Sequence, residues 1–191
     1  MKQIVLASLS PRRKELLERT GLKFLIEDSG FKERLNLKLE PRKLAEHFSC
    51  SKAKAVSEKH PNSIIIAADT IVVLNKKILG KPKNFRDAIK ILKELSGKTH
   101  KVITGFTILD TSSNKMVTKS TETKVIMRKF TDDEITSYVN TGEPLDKAGA
   151  YGIQGLGGFL VKGIEGDYCN IVGLPLTDLL VELKRFGIRI L

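Results

Sequence analysis

Ile64-Ile65-Ile66-Ala67-Ala68 is apolar without a break. A strand with water on one face alternates apolar and polar residues, so this run belongs in a sheet covered on both faces. Such a sheet needs helices on either side, and the chain supplies them. Ser10-Pro11 starts one, with serine as cap and proline at the first helical position; Leu16 and Leu17 form its apolar side and Gly21 ends it. A second begins near Pro41, with Leu44, Ala45, Phe48, Ala55 and Val56 roughly at helical spacing, and His60-Pro61-Asn62 breaks it. Asn84 caps a third, with Ile89, Leu92 and Leu95 inside and Gly97 at its end. Thr131-Asp132-Asp133-Glu134 is a capping box that opens a fourth, which stops near Gly142, and Pro175 to Phe186 is the last.

The remaining apolar runs read as strands: Ile4–Ala7, Leu22–Ile26, Ile71–Leu74, Phe159–Val161 and Ile171-Val172. Val102–Leu109 and Met116–Met127 pair across the Thr111–Asn114 turn. Asp28–Leu37 is a polar loop, Asn75-Lys76-Lys77 a turn, and 148–158 a glycine-rich stretch. Helices and strands alternate early and hairpins follow, which predicts an α/β fold with a mixed sheet and flanking helices.

The charge narrows the partners. Residues 1–130 carry 28 Lys and Arg against 13 Asp and Glu, while residues 131–191 carry 5 against 9, so the net +11 sits in the first two thirds. That imbalance favours an anion: nucleic acid, a membrane surface or a phosphorylated small molecule. It also fits a plain solvated basic surface. No run of 18 apolar residues predicts a membrane helix. The N-terminus is too short in apolar residues for a secretory signal, and Cys50 and Cys169 suggest neither disulfide framework nor metal site, which suits a cytoplasmic protein.

Arg12, Arg13 and Lys14 occupy the first turn of the first helix, where the helix dipole is positive and each exposed cation costs about 0.3–1 kcal/mol. An anion at that helix end removes the conflict, with Ser8, Ser10, backbone N–H groups and two guanidinium forks converging on phosphate oxygens. A surface arginine pair beside Glu15 and Glu18 is the plainer alternative. Asp69 directly follows the buried run, which places it at the carboxyl edge of the sheet, where α/β proteins bind ligands. A carboxylate there repels phosphate unless a cation such as Mg²⁺ intervenes, and Glu33 is a second candidate ligand. Lys81, between Gly80 and Pro82, is not part of a Walker A loop, yet its backbone is constrained enough to aim a charge. It also suits an ordinary turn, and Lys52 shares that ambiguity. The Gly155–Gly158 segment is not a dinucleotide fingerprint, the histidines lack zinc spacing, and 6% aromatics is poor material for stacking single-stranded nucleic acid.

Seven blocks in order carry a specific resemblance: LASLSPRRKELL (6–17), SKAKAV (51–56), AADTIV (67–72), GKP (80–82), LSGKTHKVITG (95–105), EPLDKAGAYGIQG (143–155) and GDYCNIVGLPL (166–176). Together they resemble the Maf family of nucleotide pyrophosphatases over essentially the whole chain. The resemblance implies hydrolysis of the α–β phosphoanhydride with a divalent cation, Mg²⁺ or Mn²⁺, in a homodimer. It implies a single domain, 1–191, elongated and two-lobed around a central cleft, akin to the inosine triphosphate pyrophosphatases. Asp69 matches the family's proton acceptor, and Ser8, Arg12, Arg13, Glu33, Lys52 and Lys81 match its other active-site positions. Arg13, Thr70 and Gln154 match the branch that favours dTTP and UTP over 7-methyl-GTP. Gln154 offers a donor and an acceptor, as the edge of a pyrimidine requires.

The expected reaction is in-line attack of water on the α-phosphorus. Asp69 orients or deprotonates the water, a metal sits on Asp69 and Glu33, and Arg12, Arg13, Lys52 and Lys81 neutralise the phosphates. Two other readings stand beside it: a pyrophosphatase for purine or modified nucleotides, and a non-enzymatic nucleic-acid-binding or septum-regulating protein.

Overall fold

The computed structural model describes residues 2–33 and 37–189. The middle of the polar 28–37 loop therefore lies outside the described residues. The chain forms two compact units, one built from 1–69, 104–121 and 173–191 and the other from 70–103 and 122–172. Three of their four boundaries fall inside long strands, and the fourth lies between residues 172 and 173.

The strands are β1 (Gln3–Leu6), β2 (Leu25–Ile26), β3 (Ser63–Leu74), β4 (Lys77–Leu79), β5 (Thr99–Asp110), β6 (Met116–Met127) and β7 (Val161–Glu165). They pair in the order β2-β1-β3-β5-β6-β7, with β4 on β3. β1 runs parallel to β2 and β3, and β4 and β7 run antiparallel to β3 and β6, so the sheet is mixed as the patterning predicts. The helices are α1 (Pro11–Glu18), α2 (Pro41–Ser57), α3 (Phe85–Leu95), α4 (Asp132–Asn140), α5 (Tyr168–Val172) and α6 (Leu176–Arg185).

Local chemistry explains the helix ends. The Asn84 side chain accepts from the Asp87 N–H at 3.0 Å and starts α3. The Thr131 hydroxyl accepts from the Glu134 N–H while the Glu134 carboxylate accepts from the Thr131 N–H, so both halves of the capping box form at α4. Ser10 occupies the cap position of α1, but its side chain makes no capping bond.

Four expectations change. The strand expected over Leu22–Ile26 shrinks to Leu25-Ile26, both exposed, because only those two residues find a partner, on Val5 and Leu6. Phe159 and Leu160 close a 3-10 turn (Leu156–Leu160), and the strand starts at Val161. Ile171 and Val172 are helical in α5. There, buried Asn170 donates to the Val102 carbonyl and the Thr123 hydroxyl, a tertiary demand that outweighs the β preference of its two successors. Finally, Asp69 does not end a strand: β3 continues to Leu74, because Thr70-Ile71-Val72-Val73 is β-branched and β4 pairs with its far end.

In the first unit, Val5, Ile65, Ala67 and Leu109 of the sheet, with Ala7 just beyond β1, pack with Ala53 and Val56 of α2. Leu44, Ala45 and Phe48 are also fully buried on α2, and large side chains such as Leu44 and Phe48 contribute about 1.5–3 kcal/mol each. One close approach fixes where α2 lies. A Cβ on Gly105 of β5 would stand 2.3 Å from the Ala45 carbonyl carbon and oxygen, and a main chain cannot swing aside as a side-chain tip can. Gly105→Ala is therefore expected to cost about 3 kcal/mol or more, read from the urea midpoint. An unchanged midpoint would show that the helix does not need this approach.

Candidate active site

The inner face of α2 carries an ion. Phe48, Lys52 and Val56 are spaced i, i+4, i+8, so the spacing that buries Phe48 and Val56 also buries Lys52. Lys52 Nζ donates to Asp69 Oδ1 and, at 2.6 Å, to Glu33 Oε1. The side chains of Lys52 and Asp69 are 9% and 5% exposed and that of Glu33 40%, so one buried ammonium joins a buried carboxylate to a more solvated one.

β3 places Asp69. Its parallel neighbour β1 ends at Leu6, opposite Ile66, so Asp69 lies beyond the end of that pairing although it is not at the end of its own strand. Where β1 stops, the chain turns through Ser8 into α1. The Ser8 hydroxyl accepts from the Ser10 N–H at 3.3 Å and from Arg13 Nη1 at 3.2 Å. Arg13 Nε donates to the Gly173 carbonyl at 2.9 Å, 160 residues away in sequence. The guanidinium of Arg13 is thus aimed by a hydroxyl and a carbonyl.

The titration of the cluster follows from its burial. Burial raises the Asp69 carboxyl to about 6; the Lys52 and Arg13 charges hold it down, and Glu33 pushes it further up. Burial lowers Arg13 from its ordinary value, while Asp69 and Glu33 pull it back and Arg12 adds to the lowering. Arginine stays cationic through such shifts. The result is a carboxylate that is ionised near neutral pH and basic enough to accept a proton, with cations alongside.

Ser8, Arg12, Arg13, Glu33, Lys52 and Asp69 all belong to the first unit, where Ser8 and Arg13 join directly, Lys52 bridges the two carboxylates, and charge couples Arg12 and both carboxylates to Arg13. Thr70, Lys81 and Gln154 belong to the second. Thr70 is half-buried, Lys81 is exposed after β4, and Gln154 is exposed on a turn of the glycine-rich stretch. His100 is buried with Nε2 2.9 Å from the Tyr151 hydroxyl, and burial lowers it to about 4, in keeping with a structural histidine.

Sequence reasoning missed the Gly173 carbonyl, for which no local signal exists. It also left Lys52 ambiguous, although the Phe48–Lys52–Val56 spacing marks it as inward. Among the described residues no group of three or more His, Cys, Asp or Glu side chains could hold a metal. The acidic pair Asp69 and Glu33 is a donor set of the kind Mg²⁺ uses, which needs only one or two carboxylates alongside substrate phosphates.

Comparison with known proteins adds independent findings. A family model described as Maf-like protein matches residues 3–186. The chain is 48% identical to the dTTP/UTP pyrophosphatase of Dictyoglomus turgidum, with 100% of this chain and 99% of that one aligned. It is 50% identical to the dTTP/UTP pyrophosphatase of Alkaliphilus metalliredigens, with 100% of both chains covered. It is 47% identical to that of a Geobacillus species over 98% of this chain and 100% of the other. Among solved structures, a HAM1 protein from Coxiella burnetii matches with a TM-score of 0.45 at 14% identity, over 78% of this chain and 86% of that one.

Proposed function

The chain belongs to the Maf family, and we propose that it hydrolyses dTTP and UTP to the monophosphate and pyrophosphate. The observation that carries the reading is the buried Lys52 held between Asp69 and Glu33 with Arg13 beside them: cations for phosphate oxygens and one carboxylate raised to about 6. The shared name of the relatives supports the substrate pair.

Water attacks the α-phosphorus. As the new P–O bond forms, the bond to the bridging oxygen between the α- and β-phosphorus breaks, the water's proton passes to the Asp69 carboxylate, and pyrophosphate leaves with the bridging oxygen. Arg12, Arg13, Lys52 and Lys81 balance the charge on the phosphates, so most of the rate comes from positioning and electrostatics. Asp69 and Glu33 are the residues that would hold a divalent cation, Mg²⁺ or Mn²⁺, which would supply charge neutralisation at the triphosphate. Arg13, Thr70 and Gln154 set the base preference, with Gln154 matching the donor and acceptor pattern of a pyrimidine. The family resemblance extends the proposal to a cytoplasmic homodimer.

A panel of canonical and modified triphosphates tests the reading. dTTP and UTP are expected to be the fastest, with activity abolished by a chelator and restored by Mg²⁺ or Mn²⁺. GTP or inosine triphosphate outpacing both would overturn the pyrimidine preference. Salt-sensitive DNA binding with no turnover of any nucleotide would instead favour the binding protein that the basic surface also suits.

A further inference from the structure

The turn that carries Gln154 is pinned on both sides. Ahead of it, Tyr151 is buried with its hydroxyl on His100 Nε2 at 2.9 Å. Behind it, Glu143 acts as the pin. Glu143 Oε2 accepts from the Leu156 N–H at 2.9 Å, and Oε1 accepts from the Gly157 N–H at 3.1 Å and the Tyr138 hydroxyl at 2.9 Å. The Tyr138 hydroxyl in turn accepts from the Gly152 N–H at 3.2 Å. Two residues before and two after Gln154, the backbone is therefore tied to the same carboxylate and phenol.

The glycines record how close the approach is. A Cβ on Gly155 would lie 2.5 Å from Glu143 Oε2, and one on Gly157 would lie 2.5 Å from the Tyr138 hydroxyl. Lys147 Nζ donates to the Glu143 carbonyl at 2.6 Å and secures the main chain of the pin itself. Burial acts to raise the Glu143 carboxyl, but the Gly157 N–H, the Tyr138 hydroxyl and the Leu156 N–H outweigh it and hold the group below its usual range. The carboxylate is thus ionised and accepts charge-assisted bonds on both oxygens.

We infer that Glu143 is a positioning residue for base recognition: it fixes the 152–157 turn so that Gln154 presents its amide in one orientation. The inference rests on the base-reading role proposed for Gln154. Glu143 does not act on the phosphates, so its loss moves KM and base preference more than kcat. Glutamine is not a neutral replacement here. Its amide NH₂ has to face the Leu156 or Gly157 N–H, donor against donor, which releases the turn.

The test is a cycle of Glu143→Gln and Gln154→Ala in the full chain, assayed on dTTP and GTP. E143Q is expected to raise KM for dTTP about tenfold, to leave kcat within about threefold, and to lower the dTTP-over-GTP preference to a similar extent. In the Q154A background, E143Q should add less than about twofold, because two residues acting through one contact are not additive. Tyr138→Phe removes one of the three donors and should shift KM in the same direction by a smaller factor; it carries the cycle if E143Q does not fold. Effects of E143Q and Q154A that multiply, or an E143Q that lowers kcat with KM unchanged, would overturn the inference. Q154A leaving the base preference unchanged would overturn the role of Gln154, and this inference with it. Q154A relaxing the preference while E143Q does not would overturn the positioning role alone.

Discussion

Asp69→Asn is expected to lower kcat for dTTP by about 10³-fold while leaving the protein folded. The amide keeps an oxygen where Asp69 Oδ1 accepts from Lys52, so the buried ammonium retains an acceptor. It cannot take a proton at neutral pH, and it is a poor partner for a hard cation. The pH profile makes the test sharper. Only the ionised carboxylate serves as a base, so activity falls tenfold per unit below the value of this carboxyl, which burial raises to about 6 in the metal-free protein and a bound divalent cation would lower. That acid limb should vanish in D69N, whereas any limb belonging to the substrate's own phosphate should stay. A D69N protein with near-normal turnover would remove Asp69 from the chemistry.

Lys52→Met should produce the largest stability change of any substitution in the site. Methionine keeps most of the stem but removes the charge that both carboxylates share, leaving Asp69 buried with Glu33 and no ammonium between them. Breaking a buried pair from one side costs about 3 kcal/mol or more. The sign with pH follows from the direction of the shift. Asp69 is already raised above its unfolded value by burial, and losing Lys52 raises it further. The stability linked to its protonation is present at low pH and lost as pH rises through the folded value. K52M should therefore lag the wild type most at pH 8 and least at pH 5 in urea melts. Adding D69N to K52M should recover stability at pH 8, because the orphaned charge is gone. Turnover should fall about 10²-fold or more in K52M, since a cation is lost from the phosphates and Asp69 is pushed towards its protonated form. K52M matching the wild type in stability at both pH values would mean that the ammonium is solvated and the cluster does not hold together as described.

The features legible in the sequence were those set by local rules. The Thr131 capping box, the Asn84 cap and the unbroken Ile64–Ala68 run each depend on neighbours within a few residues, and each formed as read. Reading failed where distant partners decide. Ile171-Val172 looks like a strand until Asn170 is seen bonding Val102 and Thr123, tens of residues upstream. Asp69 looks like a strand end because a carboxylate interrupts an apolar run; the strand in fact passes through it, with Lys52 compensating the buried charge. The first turn of α1 is a mixed case. By sequence its two arginines oppose the helix dipole; in the structure Arg13 is committed to Ser8 and to the Gly173 carbonyl beside the carboxylates. The choice of reaction came from the family blocks rather than from periodicity or charge, because a basic, acidic and hydroxyl-bearing cluster suits many phosphate chemistries.

Product identity on dTTP tests the central claim most directly. The purified protein with dTTP and Mg²⁺ should release dTMP and pyrophosphate in equal amounts, with D69N under the same conditions giving about 10³-fold less of both. Release of dTDP and inorganic phosphate, or no nucleotide product at all, would contradict cleavage between the α- and β-phosphates.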